Sequence, residues 1–254
     1  LGLYGTEAMA SFAGMSLEEY WWEIINACYL DTDEPIKHWQ ETEATLHTLT
    51  KKLTDMQIEW VHVVGEDVEL KVKIGEKRKW LGGSGRNIPS FEVFTSPDWR
   101  GTNGWIRYNM PLSYQSNIIK WIRLEFKDGL VVNATATENE KLLKEMIAQK
   151  DADKAGEFSL TDRRLSRITK FMGETLYDEN VGGPFGNTHI ALGMAYKDAY
   201  TGDVANTTLE EWERLGYNDS VVHTDMMSTT NRTVTATLQD GSEKIIYQNG
   251  EFVI

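Results

Sequence analysis

"IEWVHVVG", Ile58–Gly65, and "DVELKVKIG", Asp67–Gly75, alternate apolar and polar side chains across a break at Gly65, Glu66 and Asp67. That period of two, interrupted at a glycine, predicts a β-hairpin. Upstream the period is helical. Ser16 opens a helix to Leu30 as N-cap, with Glu19 three residues on to complete a capping box. A second helix, "EPIKHWQETEATLHTLTKKLTDM", carries Ile36, Trp39, Leu46, Leu49 and Leu53 as its apolar set. Downstream, strands are expected at "GWIRYNM", "IIKWIRLEF" and "LVVNATATE", the last two joined by a "KDG" turn. A helix follows in "ENEKLLKEMIAQ", then a Gly-rich middle from "AGEFSL" to "VGGPFGNTHIALGMAY", and a short helix at "TTLEEWERLG" capped by Thr207 or Thr208. The end reads as strands, "SVVHTDMM", "RTVTATLQ", "EKIIYQ" and "EFVI", with turns at "DGS" and "NG". The expected class is α+β: N-terminal helices, then a β-rich, mostly antiparallel domain with inserted helices.

The 254 residues are 41% hydrophobic, with nine Trp and eight Phe, enough for a sizeable core. No stretch approaches the roughly 20 apolar residues of a membrane span. The opening "LGLYGTEAMASF" lacks the basic flank and apolar run of a signal peptide, so the expected compartment is the cytoplasm. A net charge of −13 argues against nucleic acid and anionic membranes as partners. The single cysteine, Cys28, reads as a small core residue, and a thiolate zinc site is excluded.

Acidic and imidazole side chains stand where the local pattern does not ask for them. In "VVHTDMMS", Val221–Ser228, His223 and Asp225 share one face of an apolar strand, and a buried carboxylate needs a partner. Glu92 lies between Phe91 and Val93 in "NIPSFEVFTSP", and Glu157 between Gly156 and Phe158 in "AGEFSL". "YDENVGGPFGNTHIALGMAY" holds Glu179, His189 and Tyr196. His189 and Tyr196 are seven apart in "THIALGMAY", whose spacing suits two turns of helix on one face. Carboxylate and imidazole without thiolate form the ligand set of Zn²⁺, Co²⁺ or Mn²⁺ in hydrolases. A two-metal site about 3.5–4 Å across draws on several such ligands, with a carboxylate bridging, and this inventory suffices.

Five stretches, in order along nearly the whole chain, resemble the thermophilic metallo-aminopeptidase family that includes aminopeptidase T, PepS and AmpS. They are "GTEAMASFAGMSLEEYWW", "NIPSFEVFTSPDWRGTNG", "GEFSL", "LYDENVGGPFGNTHIALGMAY" and "HTDMM". The resemblance implies metal ligation by Glu92, Glu157, Glu179, His189, His223 and Asp225, and an active-site role for Tyr196. It implies two divalent ions per chain (Zn²⁺, Co²⁺, Mg²⁺ or Mn²⁺), a homodimer, and peptide substrates with a free N-terminus. Residues 1–55 would be a helical remnant of, or junction to, the family's N-terminal domain, and 56–254 the metal-binding catalytic domain. The chain differs from members in its shorter length, in Phe91–Glu92 where many place two acidic residues, and in a longer loop between Asn180 and His189.

The implied reaction removes an N-terminal residue with a water activated by two metals. Glu157 or Glu179 would act as base, and Tyr196 would support the oxyanion. Trp99 and Trp105 are candidates for an apolar substrate pocket or for the core. Two alternatives stay open: a catalytically idle metal-binding or dimerisation module of the same family, and an amidase acting on non-peptide amides.

Overall fold

The computed structural model describes all 254 residues. The hairpin at its centre is β1 (Ile58–Gly65) and β2 (Val68–Lys73), paired antiparallel with Val61 opposite Val72 and Val63 opposite Leu70. Those four side chains are buried, while His62, Glu69 and Lys71 between them face out. The alternation read from the sequence is therefore the inside and outside of one sheet.

Three helices precede it: α1 (Glu7–Phe12), α2 (Leu17–Ala27) and α3 (Pro35–Asp55). The capping box at α2 forms as expected, with the Glu19 amide donating to Ser16 Oγ and the Ser16 amide to Glu19 Oε2 at 2.9 Å. Leu46, Leu49 and Leu53 of α3 enter the main core. Each contributes roughly 1.5–3 kcal/mol by leaving water. Ile36 does not join them: it sits in the first turn, 74% exposed.

Antiparallel pairing builds the rest. The large sheet adds β4 (Asn103–Arg107), β7 (Arg123–Lys127), β8 (Leu130–Thr135), β12 (Arg232–Leu238), β13 (Glu243–Gln248) and β14 (Glu251–Phe252), in the order β14-β13-β12-β1-β2-β4-β7-β8. A separate hairpin pairs β5 (Leu112–Tyr114) with β6 (Asn117–Ile119). "IIKWIRLEF" is thus two strands rather than one. Trp121, with φ of 53°, breaks it so that β6 and β7 serve different sheets.

A smaller sheet, ordered β11-β10-β9-β3, combines β3 (Glu92–Thr95), β9 (Ala155–Thr161), β10 (Asn187–Gly193) and β11 (His223–Ser228). Inserted helices are α4 (Glu140–Ile147), α5 (Thr175–Asp178) and α6 (Leu209–Arg214), the last capped by Thr208. Phe158, Leu160, Ile190, Leu192 and Met226 share one core with Val61, Val63, Leu70 and Leu124 of the large sheet. The architecture is the expected α+β class.

"THIALGMAY" corrects the helical reading: it is the strand β10, with every residue from Asn187 to Gly193 buried. A strand covered on both faces shows apolar residues at every position, so its period cannot be told from that of a short helix. "AGEFSL", within the Gly-rich middle, is likewise the fully buried β9.

Candidate metal centre

Register fixes what the small sheet presents on each face. Across β9, β10 and β11, Glu157 pairs with Ala191 and Ala191 with Asp225, so two carboxylates flank one small side chain. His189 lies two residues along β10, on the same side. On β3, Glu92 opposes Thr161 and Phe94 opposes Ser159, which brings Glu92 onto that face as well. The alternate positions, Val93, Phe158, Leu160, Ile190 and Leu192, point the other way into the core. One sheet therefore carries an apolar face toward the core and an acidic face toward a cavity.

His189 Nε2 is the hub. It lies 3.0 Å from Glu157 Oε1, 3.4 Å from Glu92 Oε2 and 3.7 Å from Asp225 Oδ1. Glu92, Glu157 and His189 each offer a ligand atom within 4.8 Å of the others, a group that could hold a metal ion. His223 Nε2 approaches Asp225 Oδ1 at 3.6 Å, while its Nδ1 lies 2.9 Å from the Met194 carbonyl. Since a carbonyl only accepts, Nδ1 carries the proton and the lone pair of neutral His223 faces Asp225. Glu179 comes from outside the sheet, at the C-cap of α5. Glu92, Glu157, Glu179 and Asp225 are all less than a tenth exposed.

No lysine or arginine pairs with these four carboxylates; their only cationic partners are the two imidazoles. Burial pushes Glu157 up to about 7, with His189 opposing and the Glu92 and Asp225 charges adding to it. Burial likewise raises Glu179 far above the carboxylate range, reinforced by Glu92 and Asp225. Burial works against a charged His189, yet its hydrogen bonds to Glu157 and Glu92 outweigh that and raise it well above normal. His223 rises to about 9, burial again being outweighed by the neighbouring Asp225 carboxylate. Asp225 is held low because its contacts with His223 overcome its burial. The cluster draws in positive charge, which protons or divalent cations can supply.

Tyr196 reaches the site along a different path from the one its spacing suggested. The chain leaves β10 at Gly193, with φ of 100°, and turns so that the Tyr196 amide donates to Ser96 Oγ at 2.8 Å. Its ring centroid lies 4.7 Å from that of His223 and 6.0 Å from that of Phe94. Burial and the four carboxylates raise its phenol, so it stays protonated and able to donate.

The acidic face opens into a cavity of about 1020 Å³ that includes Glu92, Glu157, Glu179, Tyr196, His223 and Asp225 in its lining. Trp99 and Trp105 do not line it. Trp99 stacks under Lys154, and Trp105, on β4 of the large sheet, under Arg123. The aromatic wall is instead Trp80, Phe94, Tyr196 and Tyr200. Residues 79–90, "KWLGGSGRNIPS", supply much of the rim. A side chain at Gly82 would strike the Glu92 carbonyl, so the glycine lets this loop lie against β3. The "GGSG" run was the available signal for a backbone packed this closely. Ser159, whose Oγ donates to Glu92 Oε2 at 3.1 Å, carried no such signal.

Carboxylates and imidazoles converging without thiolate, on an antiparallel α+β scaffold, define a centre for divalent cations of intermediate hardness. The family model described as "Thermophilic metalloprotease (M29)" matches residues 1–252. Aminopeptidase PepS of Streptococcus thermophilus is 32% identical over 92% of this chain and 58% of its own length. Aminopeptidase AmpS of Bacillus subtilis is 30% identical over 95% of this chain and 62% of its own. The structure of wild-type AmpT from Thermus thermophilus superposes with a TM-score of 0.82 at 26% identity, covering 94% of this chain and 59% of that one. The chain belongs to the thermophilic metalloprotease family. It spans about three fifths of the length of the relatives it matches.

Proposed function

We propose that this chain is the metal-binding catalytic unit of an aminopeptidase, removing the N-terminal residue of peptides with two divalent ions held by Glu92, Glu157, Glu179, His189, His223 and Asp225. The observation that carries the reading is the convergence of four buried carboxylates and His223 on one cavity, with His189 buried against three of those carboxylates and no lysine or arginine paired to any of them. The relatives' names, aminopeptidase in each case, support the substrate class. Residues 1–55 are read as the helical junction to the remainder of a family member, and 56–254 as the catalytic unit. Homodimer formation and a cytoplasmic location are carried over from the family resemblance alone.

When bound, the ions supply polarisation of the scissile carbonyl and a nucleophilic water at neutral pH. The chain's residues do the rest. Glu157 or Glu179, both on the cavity lining, takes a proton from the water and returns it to the leaving amine, while the other holds metal. Tyr196, protonated at the cavity wall, donates to the oxygen on which negative charge develops. A free substrate α-amine, bound by a metal or by a carboxylate not fully taken up by the ions, would restrict cleavage to the N-terminal residue.

The test is hydrolysis of leucyl-anilide against its N-acetylated counterpart by the metal-loaded chain. The free amine is cleaved and the acetylated compound is not; equal cleavage of both would make the enzyme an amidase. In the same assay Tyr196→Phe lowers kcat by about 10²–10³-fold with metal content unchanged. A wild-type kcat in that variant removes Tyr196 from the mechanism.

A further inference from the structure

Of the six residues assigned to the metal centre, five are placed by sheet register. Glu179 is not: it follows a helix of one turn, and nothing in strand geometry sets where its carboxylate goes. Its backbone is tied down from the sheet side. Asn187 Nδ2, at the start of β10, donates to the Glu179 carbonyl at 3.0 Å, and Thr161 Oγ1 of β9 reaches the same carbonyl at 3.5 Å. The carboxylate itself has one side-chain contact of this kind, from its neighbour Asn180.

Asn180 is fully buried, and its side chain makes three hydrogen bonds. Its Oδ1 accepts from the Phe91 amide at 2.6 Å. Its Nδ2 donates to the Leu176 carbonyl at 3.0 Å and to Glu179 Oε1 at 3.3 Å. The amide's orientation is dictated by its partners: a backbone N–H only donates, so Oδ1 must face Phe91 and the NH₂ must face the two oxygens. Phe91 is the residue before Glu92, and its ring is fixed by stacking on Trp39 at 5.4 Å and 14°. One side chain thus joins the backbone that delivers Glu92 to the carboxylate of Glu179.

Resting on the metal-centre reading above, we propose that Asn180 is a positioning residue for that centre, holding Glu179 at a set distance from Glu92 so that both carboxylates meet the same cations. Only an asparagine meets the demand at this length. Aspartate could still accept from Phe91 but would turn an anion toward Glu179. Alanine or leucine would leave the buried Phe91 amide unpaired and would remove the one side-chain hydrogen bond to the Glu179 carboxylate. Hydrogen bonds of this kind to ligating groups commonly set metal affinity by about 10–100-fold.

The test uses Asn180→Ala and Asn180→Asp in the full chain. Metal-free protein is titrated with Co²⁺, followed by its visible absorption, in competition with a chelator of known affinity. Thermal unfolding of each metal-free variant is recorded beside it. Co²⁺ binding weakens by about 10–100-fold in both variants, and the Co²⁺ spectrum shifts because the coordination geometry has changed. Asn180→Asp separates the two bonds, since it keeps the one to Phe91 and reverses the one to Glu179. Wild-type affinity in Asn180→Asp would mean that the residue only secures the Phe91 backbone, and would overturn the proposal while leaving the metal centre intact. A wild-type chain that takes up no Co²⁺ would overturn both.

Discussion

Glu157→Gln lowers aminopeptidase turnover by about 10³–10⁴-fold, the upper range for loss of a general base, because the same change also removes a metal ligand. Glutamine fills the same volume and can still bond His189, so the strand β9 is not disturbed. Beside it, Gly156 lets the backbone pass close to the Gly193 and Met194 carbonyls, where a side chain would not fit. The metal-free variant also gains stability at alkaline pH. Glu157 in the folded chain titrates at about 7, above its ordinary 4.5, so keeping it ionised opposes folding increasingly as pH rises through that interval. Glutamine has no such penalty. Kinetics on leucyl-anilide and unfolding of chelator-treated protein above pH 7 check both parts. Near-wild-type turnover, or a metal-free variant far less stable than wild type, contradicts this account of Glu157.

Divalent metal raises the unfolding temperature by about 10 °C when Zn²⁺ or Co²⁺ is present at about a thousand times its dissociation constant. That excess is worth about 4 kcal/mol, and each kcal/mol moves a chain of this size by about 2–4 °C. The effect grows with pH. In the metal-free chain Glu157 holds its proton to about 7, His223 to about 9, and Glu179 and His189 are also raised, so the metal must displace protons from all four. At a fixed metal concentration, stabilisation is therefore weakest below pH 7 and increases toward pH 9. Differential scanning calorimetry with and without chelator across that range measures it. No shift at any pH contradicts a built metal site.

Much of the fold was legible because the decisive elements are amphipathic. β1 and β2 have one wet face, α2 carries its capping box in plain sight, and the terminal strands are separated by Asp-Gly and Asn-Gly turns. The small sheet hid itself for the opposite reason. β9 and β10 are buried on both faces, so "AGEFSL" reads only as the start of a Gly-rich middle and "THIALGMAY" looks helical. The candidate residues were visible one at a time, as acids and imidazoles out of place. Their convergence was not, since it depends on the register that sets Glu157 and Asp225 on either side of Ala191. Trp99 and Trp105, near Glu92 in sequence, could be pocket or core by sequence alone, and the aromatic wall is formed instead by residues such as Trp80, which precedes the "LGGSG" loop. Asn180 escaped notice because its role depends on meeting Phe91, 89 residues earlier.

The central claim is that the acidic face of the small sheet binds divalent metal. Elemental mass spectrometry on protein stripped, reloaded with Co²⁺ or Zn²⁺ and freed of excess ion tests it most directly. About two ions per chain in the wild type, reduced in His223→Ala, is the expected result. No retained metal after reloading would contradict it.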